Sequence, residues 1–328
     1  MLPFKLAYSD GYYLPIGAHV FPAQKYRLIH QHLLDTVAAT PEDFVEPQPA
    51  TDGDIRLVHT EAYVRKLRTG SLSMMEQAVM EIPYSKELVD AFWLSAGGSI
   101  LAARLALKDR CAFNIGGGFH HAFPDHGEGF CMVHDVAVAI RKMQQEGLIR
   151  RAMTVDTDVH QGNGTAAIFP PARSGGSPLP SAIPGPAAPR PGGSTEQTVF
   201  TISLHQANNY PAVKPPSAID VNLPDCTGDD DYLHWLDNAL SSGLRQFTPD
   251  LICYIAGADP YKEDQLGGLA LTIEGLKGRD RLVFRVALAR NIPVMVTFAG
   301  GYARRVEDTV TIHCNTIAAA AEIMRNEW

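Results

Sequence analysis

The sequence lacks the features that mark secreted and membrane-spanning proteins. Its five cysteines are widely scattered and form no CxxC pair, which argues against a disulfide framework and makes a reducing cytoplasm the expected compartment. No apolar run reaches the ~18 residues of a membrane span. The N-terminal segment also has no apolar signal core. We therefore expect a cytoplasmic protein with no membrane span.

Basic residues are scarce as well. Lys and Arg total 28 against 36 Asp and Glu, which gives a formal net charge of −8. Because phosphate binding needs a basic footprint, this balance disfavours direct nucleic-acid binding. The 328 residues are 45 % hydrophobic and 20 % charged, as in a soluble globular protein with a large core.

Short apolar runs alternate with longer helical patterns along the chain. The runs rich in Val and Ile predict strands at 5–8, 112–115, 152–155, 199–204, 251–255 and 293–298. The helical patterns predict helices at 22–38, 59–67, 86–107, 134–146, 229–247, 272–289 and 304–326. This alternation predicts an α/β protein of three layers, α/β/α, with a mainly parallel sheet covered by helices on both faces.

Five of the predicted strands lead into unusual polar turns. These turns are GGGFHHAFPDHGEGF (116–130), DTDVHQGNG (156–164), HQANNYP (205–211), AGADPYKEDQLGG (256–268) and AGGYARR (299–305). Ligands of open α/β sheets bind outside the carboxyl ends of the strands. We therefore expect the five turns to converge on one site.

Asp156, Asp158 and His160 form an alternating D-x-D-x-H pattern, which places all three on one face of an extended segment. Asp158 and His160 are candidate metal ligands, and Asp259 is the best third, because a catalytic zinc takes three protein ligands and one open position. The alternatives are a solvated turn for the D-x-H pair and a helix N-cap for Asp259. Convergence at the strand ends favours the metal site.

Segment 170–197 differs from the rest of the chain, because it holds eight of the 23 prolines and five glycines. This composition predicts a flexible loop, either a linker between domains or an insertion within one. Since Asp158 and His160 precede it and Asp259 follows it, we interpret it as an insertion in a single catalytic domain, 1–328. We expect it to be disordered and to lie at the amino-terminal edge of the sheet, away from the metal.

His120 and His121 follow three glycines and are candidates for acid–base and electrostatic catalysis. Asp156 and Asn163 are the candidates to orient them. Tyr302 is a candidate hydrogen-bond donor to a developing oxyanion. The alternatives are a structural histidine pair and a tyrosine that packs over its own turn.

Together these residues suggest a mononuclear metallohydrolase, in which the metal polarises a carbonyl and one histidine takes a proton. Phe130 and Tyr210 are either walls of its pocket or core residues. The sequence contains no G-x-S-x-G nucleophile elbow, no P-loop and no H-E-x-x-H helix.

Six motifs resemble the zinc-dependent histone deacetylase family, of the arginase–deacetylase fold, in their order and spacing. They are GGGFHHA, GFCMVHD, VDTDVHQGNG, TISLHQ, GADPYKEDQLGG and AGGY. The helix HTEAYVRKL (59–67) also resembles an early motif of that family. Segments 161–163 and 264–284 look closest to the class IV branch and its bacterial relatives.

The resemblance implies a role for each candidate residue. The implied zinc ligands are Asp158, His160 and Asp259, and the implied catalytic residues are His120, His121, Asp156, Asn163 and Tyr302. In these roles His121 is the general base and acid, His120 the electrostatic histidine oriented by Asp156, and Tyr302 the oxyanion donor. Asn163 stands where many relatives have an Asp. Its neutral amide should leave His121 less basic, because a negative charge favours imidazolium.

The resemblance also implies a substrate tunnel and a second ion. The tunnel positions are Gly129, Phe130, Tyr210, Leu266 and Gly300. A structural potassium would use Asp156, Asp158, His160, Ser203 and Leu204. No residue clearly matches the acidic rim position with which some classes hold a substrate backbone. The catalytic metal stays open between zinc and ferrous iron, since two carboxylates and an imidazole suit both.

The implied activity is the removal of acetyl or longer acyl groups from lysine side chains. Acetylpolyamines or other small amides are the alternative substrates. A ureohydrolase of the same fold is a weaker alternative, because it needs two metals and therefore more ligands than we find. A protein that binds acyl-lysine without hydrolysing it is disfavoured by the intact histidine pair and Tyr302. Physiological substrate, acyl length and oligomeric state stay open.

Overall fold

The structure of the protein is a computed structural model that describes residues 1–172 and 197–326. These residues form eight strands: β1 (Lys5–Ala7), β2 (Phe44–Val45), β3 (Cys111–Asn114), β4 (Ala152–Asp156), β5 (Val199–Gln206), β6 (Ile219–Leu223), β7 (Leu251–Ile255) and β8 (Val294–Thr297). They form ten α-helices: α1 (Lys25–Asp35), α2 (Asp52–Ile55), α3 (Glu61–Thr69), α4 (Met74–Met80), α5 (Lys86–Asp109), α6 (Asp135–Gln145), α7 (Asn163–Ile168), α8 (Asp229–Gln246), α9 (Ile273–Ala289) and α10 (Val306–Asn326).

All eight strands belong to one sheet, in the order β2-β1-β3-β8-β7-β4-β5-β6. Every pair of neighbours is parallel. Strands β3, β4, β5, β7 and β8 are buried along their whole length, because helices cover both faces of a parallel sheet. The predicted three-layer α/β fold is therefore confirmed, and the sheet is wholly parallel.

The predicted insertion at 170–197 falls mostly on residues 173–196, which lie outside the described residues. The strands on either side of it are direct neighbours. Asp156 at the end of β4 pairs with Ser203 of β5. The chain before and the chain after this segment therefore contribute to the same sheet.

Sequence patterns missed the two strands at the edges of the sheet. β2 has only two residues, and β6 reads IDVNL with most of its residues partly exposed. An edge strand buries less apolar surface, so its sequence carries a weaker hydrophobic signal. Helix α4 was also missed, although Ser73 and Glu76 form a capping box at its start.

Several helices begin after a residue whose side chain accepts a hydrogen bond from a free backbone amide of the first turn. Thr60 Oγ1 accepts a hydrogen bond from the Tyr63 amide at the start of α3, and Thr272 Oγ1 accepts one from Gly275 at the start of α9. The predicted helix at 22–38 is shorter in the structure, where α1 begins at Lys25 and ends at Asp35.

Helix α5 is the longest helix and packs in the core. It is long and apolar enough to cross a membrane by length and composition, which we did not expect, but 72 % of its most apolar window is buried inside the protein. Gly97 and Gly98 permit this burial. A Cβ at Gly97 would overlap the backbone carbonyl oxygen of Gln48, and one at Gly98 would overlap the Tyr12 hydroxyl. The burial identifies α5 as a core helix.

We expect Gly97→Ala to lower the free energy of unfolding by about 1–3 kcal/mol, because a new methyl group has no room against backbone. Gly278→Ala in α9 is the matched control, since the nearest atom to its Cβ would be Leu233 Cδ1 at 3.5 Å. That change should stabilise by about 0.5–1 kcal/mol. Urea unfolding measures both variants, and wild-type stability in Gly97→Ala would contradict the close packing.

Candidate metal centre and active site

The polar turns meet at the carboxyl edge of the sheet because all strands run in the same direction. Asp156 is the last residue of β4, and Asp158 follows it. Asp259 lies four residues beyond the end of β7, and Gly300 lies three residues beyond β8. One pocket is lined by residues from the first, second and fifth turns, among them His121, Asp158 and Tyr302.

The three predicted metal ligands form a compact, fully buried cluster. Asp158, His160 and Asp259 each offer one ligand atom, and these atoms lie within 4.8 Å of one another. His160 Nδ1 is 3.1 Å from Asp158 Oδ1 and 3.4 Å from Asp259 Oδ2. Among the residues the structure describes, this is the one such group of three.

Backbone amides satisfy most of the carboxylate oxygens and leave one free. Asp158 Oδ2 accepts a hydrogen bond from the Gly300 amide at 2.8 Å, and Asp259 Oδ1 accepts one from Val159 at 2.9 Å. Asp259 Oδ2 is buried without a hydrogen-bond partner. A buried, unpaired carboxylate oxygen beside a second carboxylate and an imidazole fits a divalent cation, so the residues present suit the metal site.

Charge repulsion within the cluster supports the same conclusion. Burial raises the pKa of Asp259, and the negative charge of Asp158 raises it further. A bound cation would relieve this repulsion. Gly300 makes the close approach possible, because a Cβ there would overlap Asp259 Oδ2. The structure therefore places this predicted tunnel residue against the ligands themselves.

The two adjacent histidines have different partners. His120 Nδ1 lies 2.7 Å from Asp156 Oδ2, and His121 Nδ1 lies 2.7 Å from Asn163 Oδ1. Their ring centroids are 4.1 Å apart. All four side chains are buried. The structure thus pairs each histidine with the residue that the sequence suggested for it.

These partners separate the two histidine pKa values. Burial disfavours the charged form of His120, but the charges of Asp156 and Asp158 outweigh it and raise its pKa to about 9. Burial lowers the pKa of His121, and the positive charge of His120 lowers it further. Around neutral pH the pair therefore consists of one imidazolium and one neutral imidazole, which are suited to different tasks.

Tyr302 lines the same pocket, and its ring centroid is 6.3 Å from that of His160. Burial and the nearby charge of Asp158 raise the pKa of its phenol well above the ordinary value. The hydroxyl therefore keeps its proton and is available as a hydrogen-bond donor.

The two predicted aromatic residues have different neighbours in the site. The Tyr210 ring meets the His121 ring edge-on at 5.0 Å, and the Phe130 ring lies 6.1 Å from Tyr302. Gly129 has a left-handed φ of 51°, and a Cβ there would lie 2.9 Å from His121 Cδ2. Leu266 is not among the residues that line the described pocket. Its carbonyl accepts a hydrogen bond from Asn209.

The predicted potassium ligands come from two neighbouring strands and the turn after the first of them. Asp156 and Ser203 are paired across β4 and β5, and Leu204 follows on β5. Ser203 Oγ is 2.9 Å from His205 Nδ1. Potassium at this position stays a prediction.

Sequence reasoning missed two buried charged residues beside the site. Asp264 accepts hydrogen bonds from the amides of Leu266, Gly267 and Tyr302, so it ties the fourth turn to the fifth. Its signal was present within the motif GADPYKEDQLGG. Lys25 is fully buried and donates to the Ala299 carbonyl. Burial lowers the pKa of Lys25 to about 8, against the opposing charges of Asp259 and Asp158.

The carboxyl edge of the parallel sheet carries a buried Asp–His–Asp cluster and two histidines whose pKa values are shifted in opposite directions. This combination is that of a metal-dependent hydrolase. Residues 19–317 match the family model of the histone deacetylase domain. The chain belongs to the histone deacetylase family, whose members are hydrolases acting on amide bonds.

Individual relatives agree with this assignment. The chain is 39 % identical to an uncharacterized protein of a Picosynechococcus species over 98 % of its own length and 99 % of that protein. It is 30 % identical to histone deacetylase 2 of Arabidopsis thaliana over 89 % of this chain and 73 % of the relative. The crystal structure of an HDAC homolog from Aquifex aeolicus superimposes with a TM-score of 0.75 at 22 % identity, covering 98 % of this chain and 88 % of that one.

We expect Asp259→Asn to weaken zinc binding at least tenfold, because it removes a charged ligand. The metal-free variant should be as stable as wild type or more stable, since the substitution removes the repulsion with Asp158. Elemental analysis after dialysis measures the bound zinc. The stabilisation produced by added zinc, about 2.7 kcal/mol at 100 times the dissociation constant, gives a second readout.

Asp237→Asn, an exposed position in the middle of α8, is the control and should bind zinc like wild type. Equal zinc content and equal zinc-induced stabilisation in Asp259→Asn and Asp237→Asn would contradict the assigned site.

Proposed function

We propose that the protein is a zinc-dependent deacylase that removes acetyl or longer acyl groups from lysine side chains. The observation that carries this proposal is the single pocket in which Asp158, His120, His121 and Tyr302 meet. This combination brings a metal ligand, two histidines of different pKa and a phenol donor to one reacting centre.

Zn²⁺ held by Asp158, His160 and Asp259 would supply the Lewis acidity that polarises an amide carbonyl and lowers the pKa of a water molecule. Neutral His121 accepts a proton from the attacking water at Nε2, because its Nδ1 faces Asn163 Oδ1. Protonated His120 contributes a positive charge 4.1 Å from the His121 ring. Tyr302 donates its hydroxyl proton in a hydrogen bond to the carbonyl oxygen as negative charge develops there.

The reaction then balances with the residues described. Water oxygen bonds to the acyl carbon, and the C–N bond of the amide breaks. His121 passes the proton taken from water to the leaving nitrogen. The second proton of the water moves from the new carboxylic acid to the amine, so the products are a carboxylate and an ammonium group.

A ureohydrolase is less favoured because such chemistry uses two metals. Within the described part of the chain, one group of three metal-ligating side chains is present. A binding protein without turnover would have no use for two histidines with opposite pKa shifts. Acetylpolyamines or other small amides remain the second candidate substrates, because the proposed chemistry acts on the amide group and sets no requirement on the rest of the amine.

Several finer assignments belong to the same proposal. We place the protein in the cytoplasm because its five cysteines are scattered and form no CxxC pair. We place it nearest to class IV enzymes and their bacterial relatives because of segments 161–163 and 264–284. A structural potassium is proposed where Asp156 and Ser203 are paired. Ferrous iron is the alternative to zinc, since the donor set suits both.

Tyr302→Phe should lower kcat by about 10²–10³, as the loss of an oxyanion donor does, while KM and bound zinc stay near wild type. Steady-state kinetics measure kcat and KM, and elemental analysis measures the bound zinc. Full activity in the zinc-loaded variant would show that the phenol has no part in the reaction.

A hydrolysis screen tests the substrate class. Acetyl-lysine peptides, long-acyl-lysine peptides and acetylpolyamines are each incubated with the protein, with and without a chelator. We expect chelator-sensitive release of the acyl group from the lysine peptides. Faster turnover of acetylpolyamines would favour the second candidate, and no turnover of any amide would overturn the proposed function.

A further inference from the structure

Glu128 lies directly before the wall segment Gly129–Phe130, and its side chain is 19 % exposed. One of its carboxylate oxygens accepts two hydrogen bonds. Asn163 Nδ2 donates to Oε1 at 2.7 Å, and the Tyr210 hydroxyl donates to the same oxygen at 2.5 Å. The other oxygen, Oε2, lies 3.6 Å from His126 Nε2. Glu128 therefore contacts both the residue that orients His121 and the wall beside it.

The carboxylate is ionised in this setting. Burial opposes the charge, but nearby His126 and the hydrogen bonds from Tyr210 and Asn163 hold the pKa of Glu128 below its ordinary value. An ionised carboxylate can accept hydrogen bonds and cannot donate them. Any amide that faces Glu128 must therefore present its nitrogen.

This requirement fixes the orientation of Asn163. An amide side chain can turn over and exchange its oxygen and nitrogen. With Nδ2 held by Glu128, Oδ1 faces His121 Nδ1 at 2.7 Å. The Gly164 amide also donates to Oδ1, at 3.1 Å. The contact with Glu128 is the charge-assisted one, and such hydrogen bonds are roughly twice as strong as neutral ones.

The orientation of Asn163 in turn fixes the tautomer of His121. An oxygen at 2.7 Å requires the proton on Nδ1, which leaves the lone pair on Nε2. With the amide reversed, Asn163 would donate to Nδ1 and the proton would move to Nε2. In that tautomer Nε2 has no lone pair with which to accept a proton from water.

We infer that Glu128 is a positioning residue of the active site: through the Asn163 amide it holds His121 in the tautomer that can act as a base. Glu128 does not touch the reacting atoms. This inference rests on the proposed function, since a base is needed only if the protein is a hydrolase. The negative charge of Glu128 does not touch His121 directly. The neutral amide of Asn163 lies between them and contacts both.

A cycle of variants tests whether Glu128 acts on His121 through the Asn163 amide, an arrangement that we call the relay. Glu128→Gln keeps the size of the side chain but removes the requirement that Asn163 present its nitrogen, so we expect kcat to fall about tenfold or more. Asn163→Asp sets a second carboxylate against Glu128, and kcat should fall for that reason as well. KM should change less than kcat in both variants.

The double variant Glu128→Gln/Asn163→Asp is the decisive one. The introduced glutamine donates its amide to the introduced carboxylate, which still accepts from His121 Nδ1. We therefore expect kcat to rise above that of both single variants, to within about threefold of wild type. If Glu128 only held its loop in place, the losses in kcat of the two single variants would add in the double variant. Additive losses would therefore overturn the inference.

Tyr210→Phe separates the wall from the relay, because it removes one hydrogen bond to Glu128 and keeps the ring. We expect a smaller change in kcat than in Glu128→Gln. If kcat fell as much in Tyr210→Phe as in Glu128→Gln, the effect of Glu128 would come from its contact with Tyr210. That result would overturn the inference. Zinc content and melting temperature are measured for every variant, so that misfolding is not mistaken for loss of the relay.

The tautomer itself gives a readout that needs no turnover. ¹⁵N spectra of zinc-loaded protein with labelled histidine distinguish a protonated Nδ1 from a protonated Nε2, and the His121→Gln spectrum assigns the signal. We expect the Nδ1-protonated form in wild type and in the double variant, and a shift toward the Nε2-protonated form in Glu128→Ala. An unchanged tautomer in Glu128→Ala would overturn the inference. If no amide is hydrolysed but the tautomer shifts, the proposed function fails and the relay stands.

Discussion

Asp158 and Asp259 hold two buried carboxylates against each other, and the rest of the active site is arranged around that charge. A hydrophobic core of this size opposes such a pair strongly, because each ion loses its hydration. The fold nevertheless keeps them together through backbone amides from Val159 and Gly300. What it leaves unsatisfied is one oxygen of Asp259. A bound cation would supply that oxygen with the partner it lacks.

The same negative charge sets the behaviour of the histidine pair. His120 faces Asp156 and Asp158 and is held as a cation, while His121 lies one ring further out, faces an amide and stays neutral. Two identical side chains, adjacent in sequence, therefore have opposite pKa shifts: the carboxylates outweigh the burial of His120, whereas burial and the charge of His120 lower the pKa of His121. The phenol of Tyr302 keeps its proton because burial raises its pKa, and because ionising it beside Asp158 would add another negative charge.

The sequence was a sufficient guide where a pattern is local. The D-x-D-x-H segment, the HH pair and the apolar runs before them predicted the central strands and the edge of the sheet where the site lies. The edge strand β6 was missed because it is short and most of its residues are partly exposed, so it has no continuous apolar run. The sequence analysis missed Lys25 and Glu128 for another reason. Their contacts join residues 274 and 35 positions apart, and a lone charged residue in a sequence does not reveal a distant partner.

Strand β8 has a consequence for how the protein is made. It is the last strand in the chain, yet it lies between β3 and β7 in the interior of the sheet. Until it emerges during synthesis, the sheet consists of two separate halves, each with an open apolar edge of the kind that invites wrong pairing. Tyr302 follows the same strand. Strand β8 therefore joins the two halves of the sheet and also brings Tyr302 to the pocket, so the core and the active site depend on the same short segment.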